Sequence, residues 1–316
     1  MRLIVLVLAW FFAATASAQL SSRPITILVP IAPGGAPDIA ARVIAQKLGE
    51  SLGQPVVVEN RTGANGNIAG DLVAKAAPDG HTLGLLADSQ ITINPHLYKK
   101  MSFDTLRDLV PLHTVAVNQF VLTVNPRLPV ASFPEFIEFA RRADPPLAYG
   151  SGGNGSQHHL TMEMLKQRAG INLLHVPFKG GSPAAAAAVA GDVAAVWSGS
   201  SNAPQIKAGR LRALAVSGAT RSPQYPDLPS IAEFYPGFET RIWLGFFGPA
   251  GIPPATLSQL RAELRKVLES PDTKAKFNAA GGLDPYLATL DEFNAIIRRD
   301  YEKYAKVVKA LGLKLD

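Results

Sequence analysis

Strand and helix patterns alternate along the first part of the chain, and this alternation restricts the fold more than any other feature. Ile25–Pro30 has the pattern of a buried strand, Ile39–Leu52 has apolar residues at helical spacing, and Pro55–Glu59 is a second strand. A helical pattern over Ile68–Ala77 and a strand over Thr82–Ala87 follow. This β-α-β-α-β order predicts a parallel sheet with helices on both faces.

A second alternation runs from residue 120 to residue 216, and a mostly helical segment from Pro254 to Leu311 follows the strand pattern at Trp243–Phe247. Two α/β units with a helical return predict two lobes joined by two crossing strands, which we place near Leu122 and Phe246. The first lobe then comprises residues 19–122 and 247–316, and the second comprises residues 123–246.

The first eighteen residues have the pattern of a secretory signal peptide. Arg2 precedes an apolar run from Leu3 to Ala14, and Ala16-Ser17-Ala18 supplies the small residues that a signal peptidase reads. A transmembrane helix needs about 20 apolar residues, so this run is too short to span a bilayer. We predict cleavage after Ala18 and a mature protein in the periplasm; the alternative is an uncleaved anchor.

The chain of 316 residues has no cysteine, which excludes thiol nucleophiles, cysteine-ligated zinc and iron–sulfur clusters. Its formal net charge is +6, and loss of Arg2 with the signal peptide lowers the charge to +5. This mild excess suits anionic small molecules, and no block of Lys and Arg indicates a nucleic-acid partner. We expect no cofactor and no metal.

A first glycine-containing loop, Ala32-Pro33-Gly34-Gly35-Ala36-Pro37-Asp38, lies between a strand and a helix. Paired glycines let the backbone turn sharply and approach a ligand closely. Asp38 is a candidate N-cap, and the helix start offers unpaired N–H groups that suit an anion. The alternative is an ordinary turn with a capping aspartate. The candidate ligand-binding residues here are Ala32, Pro33, Gly34, Gly35 and Asp38.

A second glycine-rich loop, Gly150-Ser151-Gly152-Gly153-Asn154-Gly155-Ser156, occupies the corresponding place in the other half of the chain. Ligands of open α/β sheets bind outside the carboxyl ends of strands, where both loops lie. The candidates here are Ser151, Gly152, Asn154, Gly155 and Ser156. The loop also matches the dinucleotide pattern G-x-G-x-x-G, but the acidic residue that this pattern requires about 20 residues later is missing.

Catalytic motifs are scarce. The six histidines, His81, His96, His113, His158, His159 and His175, show no metal-ligand spacing, and no serine stands in G-x-S-x-G. His159 lies one turn into the helix after the second loop, where it either lines the cleft or has a structural role. We assign no catalytic residue, although a Ser-His-Asp set could assemble in space and make the chain an exported hydrolase.

Eight segments in order resemble the substrate-binding receptors of tripartite tricarboxylate transporters, also called the Bug family. The segments are Val29–Leu48 (VPIAPGGAPDIAARVIAQKL), Gly53–Gly70 (GQPVVVENRTGANGNIAG), Ala77–Leu83 (APDGHTL), Asn94–Tyr98 (NPHLY), Tyr149–Leu160 (YGSGGNGSQHHL), His175–Ala184 (HVPFKGGSPA), Ala208–Gly218 (AGRLRALAVSG) and Trp243–Pro253. The likeness covers nearly all of the mature chain. It departs from the family pattern at Ile31, Pro37, Thr62 and His81.

The resemblance implies an α/β fold of the type II periplasmic-binding-protein class, with two lobes of mixed, mostly parallel sheets that close around a ligand. It implies that the two glycine loops grip a carboxylate through backbone N–H groups and water. The family pattern Ser-x-x-His-Leu matches Ser156–Leu160, which favours His159 over His158. By position, the resemblance adds as cleft neighbours Ser89, Asn94, Lys179 and the run from Ser198 through Gly199 to Ser200.

The resemblance also implies a function and partners. We expect a non-catalytic, monomeric receptor that captures a small organic carboxylate: a dicarboxylate, a tricarboxylate, an aromatic acid or an acidic amino acid. Its partner would be a membrane permease with a large and a small subunit. The alternative partner is a membrane histidine kinase, with which the receptor would have a sensing role.

The signal-peptide prediction is testable on the exported protein. We expect the mature chain to begin at Gln19, because Ala16 and Ala18 are the small residues of an A-x-A cleavage site. N-terminal sequencing and intact mass of the periplasmic fraction measure this. An Ala18→Arg variant should retain its first eighteen residues, whereas a wild-type chain that still begins at Met1 after export would contradict the prediction.

Overall fold

The computed structural model describes residues 22–279 and 283–315, so the predicted signal peptide and its cleavage site lie outside the described residues. The described chain forms two sheets flanked by helices. The strands of the first sheet are β1 (Ile25–Val29), β2 (Val56–Asn60), β3 (Thr82–Ala87), β4 (Leu109–Asn118), β10 (Ile242–Pro249) and β11 (Asp284–Pro285). Those of the second are β5 (Val121–Val124), β6 (Ala148–Ser151), β7 (Leu174–Pro177), β8 (Ala195–Ser198) and β9 (Arg212–Val216).

The first sheet has the strand order β11-β4-β10-β3-β1-β2. Its β1 strand is parallel to both neighbours, with Ile27 opposite Val58 on β2 and Leu83 on β3. This parallel unit confirms the order predicted from the first alternation. β10 returns antiparallel between β3 and β4, which makes the sheet mixed.

The second sheet repeats this arrangement with the order β7-β6-β8-β5-β9. β6 is parallel to β7 and β8, and β5 is antiparallel to β8 and β9. The chain leaves the first sheet after Asn118 and enters the second at Val121. It leaves the second sheet after Val216 and re-enters the first at Ile242. Leu122 and Phe246, the predicted crossing points, therefore each lie inside a strand of a single sheet.

Helices follow the strands as the apolar spacing predicts. They are α1 (Ala36–Leu52), α2 (Asn67–Ala74), α3 (Asn94–Leu97), α4 (Phe133–Arg142), α5 (Gln157–Ala169), α6 (Gly181–Ala190), α7 (Ala203–Lys207), α8 (Pro254–Glu269), α9 (Pro271–Ala279) and α10 (Leu290–Leu311). α10 begins with a capping box, in which Thr289 and Glu292 each accept a hydrogen bond from the other's backbone N–H. Among the described residues, no helix combines the length and apolarity needed to cross a bilayer.

Each sheet has its own apolar core. In the first, Ile27 and Phe246 on strands pack with Ile44 on α1 and Leu264 on α8, all fully buried. In the second, Trp197 on β8 belongs to a cluster of buried residues that includes Phe136 and Leu165. Burial of such side chains is the main free-energy gain of folding, so each half of the molecule is stabilised by its own apolar core.

A smaller cluster joins the two halves. Leu160 on α5 packs with Leu97 on α3 and with Tyr304 and Val308 on α10. Asn65, which follows the first sheet's β2, donates from Nδ2 to the carbonyl oxygen of Gly155 at 3.0 Å. The two halves therefore meet through apolar and polar contacts on the same side as the glycine loops.

The first core generates a stability prediction. We expect Leu264→Ala to lower the free energy of unfolding by about 2–5 kcal/mol, because Leu264 is 0% exposed and its removal leaves a cavity. Leu72→Ala is the control: Leu72 is 44% exposed, and its loss should change stability by less than about 0.5 kcal/mol. Chemical denaturation measures both, and equal losses would contradict the prediction.

Candidate functional site

A cavity of about 150 Å³ lies between the two sheets, which is room for a small organic molecule. Loops from both halves line it. From the first half come Pro30, Ile31, Gly35, Pro37, Asn65, Ala87, Asp88, Ser89, Gln90, Ala116, Val117, Asn118, Ile242, Leu244 and Leu283; from the second come Phe120, Gly152, Ser156, Gln157, His158, Gly180, Gly181, Ser182, Gly199, Ser201 and Asn202. The predicted common cleft of the two glycine loops therefore exists in the structure.

The first loop reaches the cavity through the start of α1. Gly35 is the N-cap, and Pro37, at the second helical position, lines the cavity with it. The predicted N-cap, Asp38, is the third residue of the helix and is 3% exposed. Its carboxylate accepts a hydrogen bond from the N–H of Gly34 at 2.9 Å, which stabilises the turn before the helix. The expectation that Asp38 is the N-cap was wrong.

Four predicted residues of the first loop do not line the cavity: Ala32, Pro33, Gly34 and Asp38. The carboxylate of Asp38 is instead held by Arg42, at 2.9 Å from Nη2, and by Asn60, at 2.9 Å from Nδ2. Burial raises the pKa of Asp38, but hydrogen bonds from Arg42, Gly34 and Asn60 outweigh burial and bring the pKa below its usual value. Asp38 therefore shapes the loop as a carboxylate at neutral pH.

The second loop reaches the cavity through Gly152 and Ser156. Ser156 is the N-cap of α5, and its hydroxyl accepts the N–H of His159. Gly155 adopts φ of +75°, and a Cβ there would lie 2.7 Å from Leu97 Cδ1, so only glycine fits. Gly155 and the exposed Asn154 were both expected to bind ligand, but neither lines the cavity.

Behind the second loop, Ser151, His159 and the partly buried His175 contact one another. The Ser151 hydroxyl lies 2.6 Å from Nε2 of His175, and the His175 ring stacks on the His159 ring at 4.0 Å. His159 Nδ1 accepts the N–H of Gly155 at 3.1 Å. Neither Ser151 nor His159 lines the cavity, so the Ser151–His175 pair does not face the cavity as a hydrolase nucleophile would.

His158 lines the cavity, although the resemblance favoured His159. Its ring lies 4.5 Å from the Phe120 ring, and its nitrogens lie above the backbone of Gly152 and Gly181. Burial lowers the pKa of His158 to about 4. The imidazole is therefore neutral at pH 7 and adds no positive charge to the site.

A third helix start, which the sequence reasoning missed, also faces the cavity. Gly180 is the N-cap of α6, and Gly180, Gly181 and Ser182 line the cavity. The signal was present, since Pro177-Phe178-Lys179-Gly180-Gly181 is again a glycine pair between a strand and a helix. Lys179, which was expected in the cleft, is exposed and lies outside the lining.

The segment after β8 supplies a side-chain donor. Gly199, a predicted residue, lines the cavity with Ser201 and Asn202, whereas Ser198 is buried beneath it and bonded to the Thr123 hydroxyl at 2.7 Å. Asn202 is 4% exposed, and its Nδ2 has no hydrogen-bond partner among the described residues. A buried N–H without a partner is costly, so this atom calls for an acceptor from a ligand or water.

Ser89, predicted by position, lines the cavity beside Asp88 and Gln90. Asn94 does not line it but accepts a hydrogen bond from Asn65 Nδ2 at 2.7 Å, which helps to hold that lining residue. Among the described residues of the lining, none is Lys or Arg, and the described chain has no cluster of three metal-ligating side chains. The arrangement can hold an anion through N–H and O–H groups.

Two α/β halves around a shared cavity that three helix starts help to line are the architecture of a solute-binding receptor. A model of the tripartite tricarboxylate transporter family receptor matches residues 40–313. BugT of Bordetella pertussis is 36% identical over 297 residues, which cover 93% of this chain and 91% of BugT. The chain belongs to the tripartite tricarboxylate transporter receptor family, as the sequence segments indicated.

Solved structures of similar chains share this architecture. R. palustris Rpa4515, solved with adipate, is 31% identical with a TM-score of 0.87, covering 94% of this chain and 99% of that chain. MatC from Rhodopseudomonas palustris, solved with malate, is 28% identical with a TM-score of 0.82, covering 90% and 99%. These likenesses confirm the predicted two-lobed, type II periplasmic-binding-protein fold.

The Asp38 contacts give a pH-dependent prediction. We expect Asp38→Asn to lower the free energy of unfolding by about 1–3 kcal/mol at pH 7, because a charge-assisted hydrogen-bond network is lost. A depressed folded-state pKa contributes stability above the unfolded pKa of about 3.9, and that contribution disappears as pH falls through the folded pKa. The difference between wild type and variant should therefore be constant from pH 5 to 7 and narrow below about pH 4.

Denaturation midpoints across this pH range measure the difference. Glu50→Gln is the control, because Glu50 forms only exposed contacts, with Lys47 and Gln46, among the described residues. A gap between wild type and Asp38→Asn that widens on acidification would contradict the assignment of Asp38 as a structural carboxylate.

Proposed function

We propose that the chain is a periplasmic receptor that captures a small organic carboxylate in the cavity between its lobes and delivers it to a tripartite permease with a large and a small subunit. The observation that carries the proposal is the convergence of the starts of α1, α5 and α6 on one cavity, which is also lined by Asn202, whose Nδ2 has no partner among the described residues. Helix starts offer unpaired N–H groups and a positive dipole end to an anion.

Preorganised donors make this arrangement suited to reversible capture. Backbone N–H groups lose no side-chain entropy when a ligand binds, and water-excluded surroundings strengthen their hydrogen bonds. Release requires only that the lobes separate, since no ion pair with Lys or Arg has to be broken within the described lining. The adipate and malate ligands of the similar structures Rpa4515 and MatC support a carboxylate as the ligand class.

Binding and closure are coupled because the ligand contacts both lobes. We assign the first sheet with its helices to one lobe and the second sheet with its helices to the other, so that the chain crosses between the lobes after Asn118 and again before Ile242. Gly35 and Gly181, which belong to different lobes, line the same cavity. A ligand that contacts both lobes stabilises the form in which the lobes lie close together. A permease can then recognise the loaded receptor by its shape.

Ligand screening tests the class of ligand. We expect thermal shifts of the mature protein with organic carboxylates, because a ligand at about 100 times its dissociation constant stabilises the folded state by about 2.7 kcal/mol. Neutral sugars and organic cations serve as negative controls. Shifts from sugars or cations with none from any carboxylate would refute the proposed function.

A glycine substitution tests the role of the backbone. A Cβ on Gly152 would lie 3.1 Å from Nδ1 of His158 and 3.5 Å from the N atom of Gly181, so Gly152→Ala narrows the space between two helix starts. We expect binding of a carboxylate to weaken about tenfold, the equivalent of about one hydrogen bond. Isothermal titration calorimetry measures the dissociation constants.

Lys179→Ala is the control for this substitution, because it removes an exposed cation from a neighbouring loop without touching the cavity. Its dissociation constant should stay within about twofold of wild type, since a surface charge contributes little. A large loss in Lys179→Ala with none in Gly152→Ala would show that a cation, and not the backbone, holds the anion.

A further inference from the structure

Two buried oxygen atoms without partners mark one part of the cavity. Asp88 and Gln157 both line the cavity, and they are 0% and 4% exposed. Among the described residues, Oδ1 of Asp88 and Oε1 of Gln157 find no hydrogen-bond partner. Buried polar atoms are almost always paired, so two such acceptors beside one cavity point to a donor that the ligand brings.

The other atoms of these two side chains are fully engaged, which fixes their orientation. Nε2 of Gln157 donates to Oδ2 of Asp88 and to the Tyr304 hydroxyl at 2.7 Å, and it lies 3.4 Å from the carbonyl oxygen of Arg241. Three oxygen neighbours identify this atom as the amide nitrogen, so the free atom of Gln157 is its oxygen. Asp88 likewise uses Oδ2 and leaves Oδ1 free.

The ionisable residues of the lining determine which ligand group can lie beside Asp88 and Gln157. Within the described lining there is no Lys or Arg, and the ionisable groups are Asp88 and His158. Burial, and then the neighbouring Asp300, raise the pKa of Asp88, while hydrogen bonds from Gln157 and the backbone N–H of Ser89 and the charge of Lys303 lower it less. A second ligand carboxylate here would face the oxygen of Gln157 with no cation in the described lining to offset its charge.

A hydroxyl or amino group on the ligand satisfies both atoms. A hydroxyl can accept the proton of a neutral Asp88 while it donates to Oε1 of Gln157, and an ammonium can pair with an ionised Asp88 while it donates to the same oxygen. Apolar side chains, among them Ile31, Val117, Phe120 and Ile242, form another part of the wall. They suit a hydrocarbon body between two polar ends.

We propose that Asp88 and Gln157 form a donor-reading subsite, and that the ligand is a monocarboxylate with an apolar body and a hydroxyl or amino group at its far end. The proposal rests on the proposed function, because the carboxylate end uses the helix starts and Asn202. It separates this chain from a receptor of plain dicarboxylates such as the adipate found with Rpa4515.

A matched ligand series tests the subsite on the mature wild-type protein. Calorimetry compares hexanoate, 6-hydroxyhexanoate, 6-aminohexanoate and adipate, with the corresponding four-carbon and benzoate series to allow for the shape of the body. We expect the hydroxyl or amino member of the best-bound series to bind about tenfold more tightly than both the unsubstituted acid and the dicarboxylate. The hydroxyl and amino arms identify which donor the subsite takes.

Two outcomes of this series are distinguishable. If the unsubstituted acid or the dicarboxylate binds as tightly as the donor-bearing acid, the subsite is refuted while the proposed function stands. If no carboxylate binds in any series, the proposed function fails and the subsite fails with it.

Substitutions of Asp88 give an independent test. Asp88→Asn keeps the size of the side chain and an oxygen for Gln157, but it turns an N–H₂ group toward the cavity. We expect 6-aminohexanoate to bind about tenfold more weakly than to wild type and adipate to bind more tightly, so that the preference reverses. Gly152→Ala is the matched control, because it should weaken all members of the series alike.

Asp88→Ala removes the carboxyl group altogether and should abolish the advantage of the donor-bearing acids over hexanoate. Thermal unfolding without ligand verifies that each variant folds; if neither Asp88 variant folds, the wild-type series alone decides. Equal weakening of all ligands by Asp88→Asn would refute the subsite.

Discussion

The proposed function places one constraint on the structure: an anion must be held in a cavity whose described lining contains no Lys or Arg. Backbone N–H groups at helix starts meet this constraint because they are fixed dipoles that need no counter-charge when the cavity is empty. A buried arginine would need a carboxylate partner whenever ligand left, and a buried lysine would need one or would lose its charge. Glycine lets the chain turn between strand and helix at two of these starts, where Gly34 and Gly180 adopt φ of +87° and +126°.

Polar contacts across the cleft connect ligand recognition to the arrangement of the halves. Gln157, on the first turn of α5, reaches Asp88 after β3 and Tyr304 on the last long helix. Asn65, from the first half, donates a hydrogen bond to the carbonyl oxygen of Gly155 in the second half. Residues that line the cavity therefore also hold the two halves together, so that a substitution of Asp88 also acts on a contact between the halves.

Sequence patterns predicted the parallel units and both glycine loops, because strand and helix periodicity and glycine pairs are local signals. They did not predict β4, where Pro111 and His113 interrupt the apolar pattern of Leu109–Asn118. Adjacent residues on a helix point about 100° apart, so only one of His158 and His159 can face the cavity. The sequence does not show which one, because the choice depends on how the helix that begins after Ser156 is oriented about its axis. Asp88 and Gln157 are 69 residues apart, and only tertiary structure brings them together.

The two sides of the cavity carry unequal numbers of helix starts. One wall has the start of α1, where Pro37, as the second residue, removes one N–H because proline carries no backbone hydrogen. The opposite wall has the starts of α5 and α6 together with the amide of Asn202, and Pro183 likewise removes one N–H from the first turn of α6. Under the proposed function, the wall that α5 and α6 form therefore supplies most of the donors for an anion, and the wall with Pro37 supplies fewer.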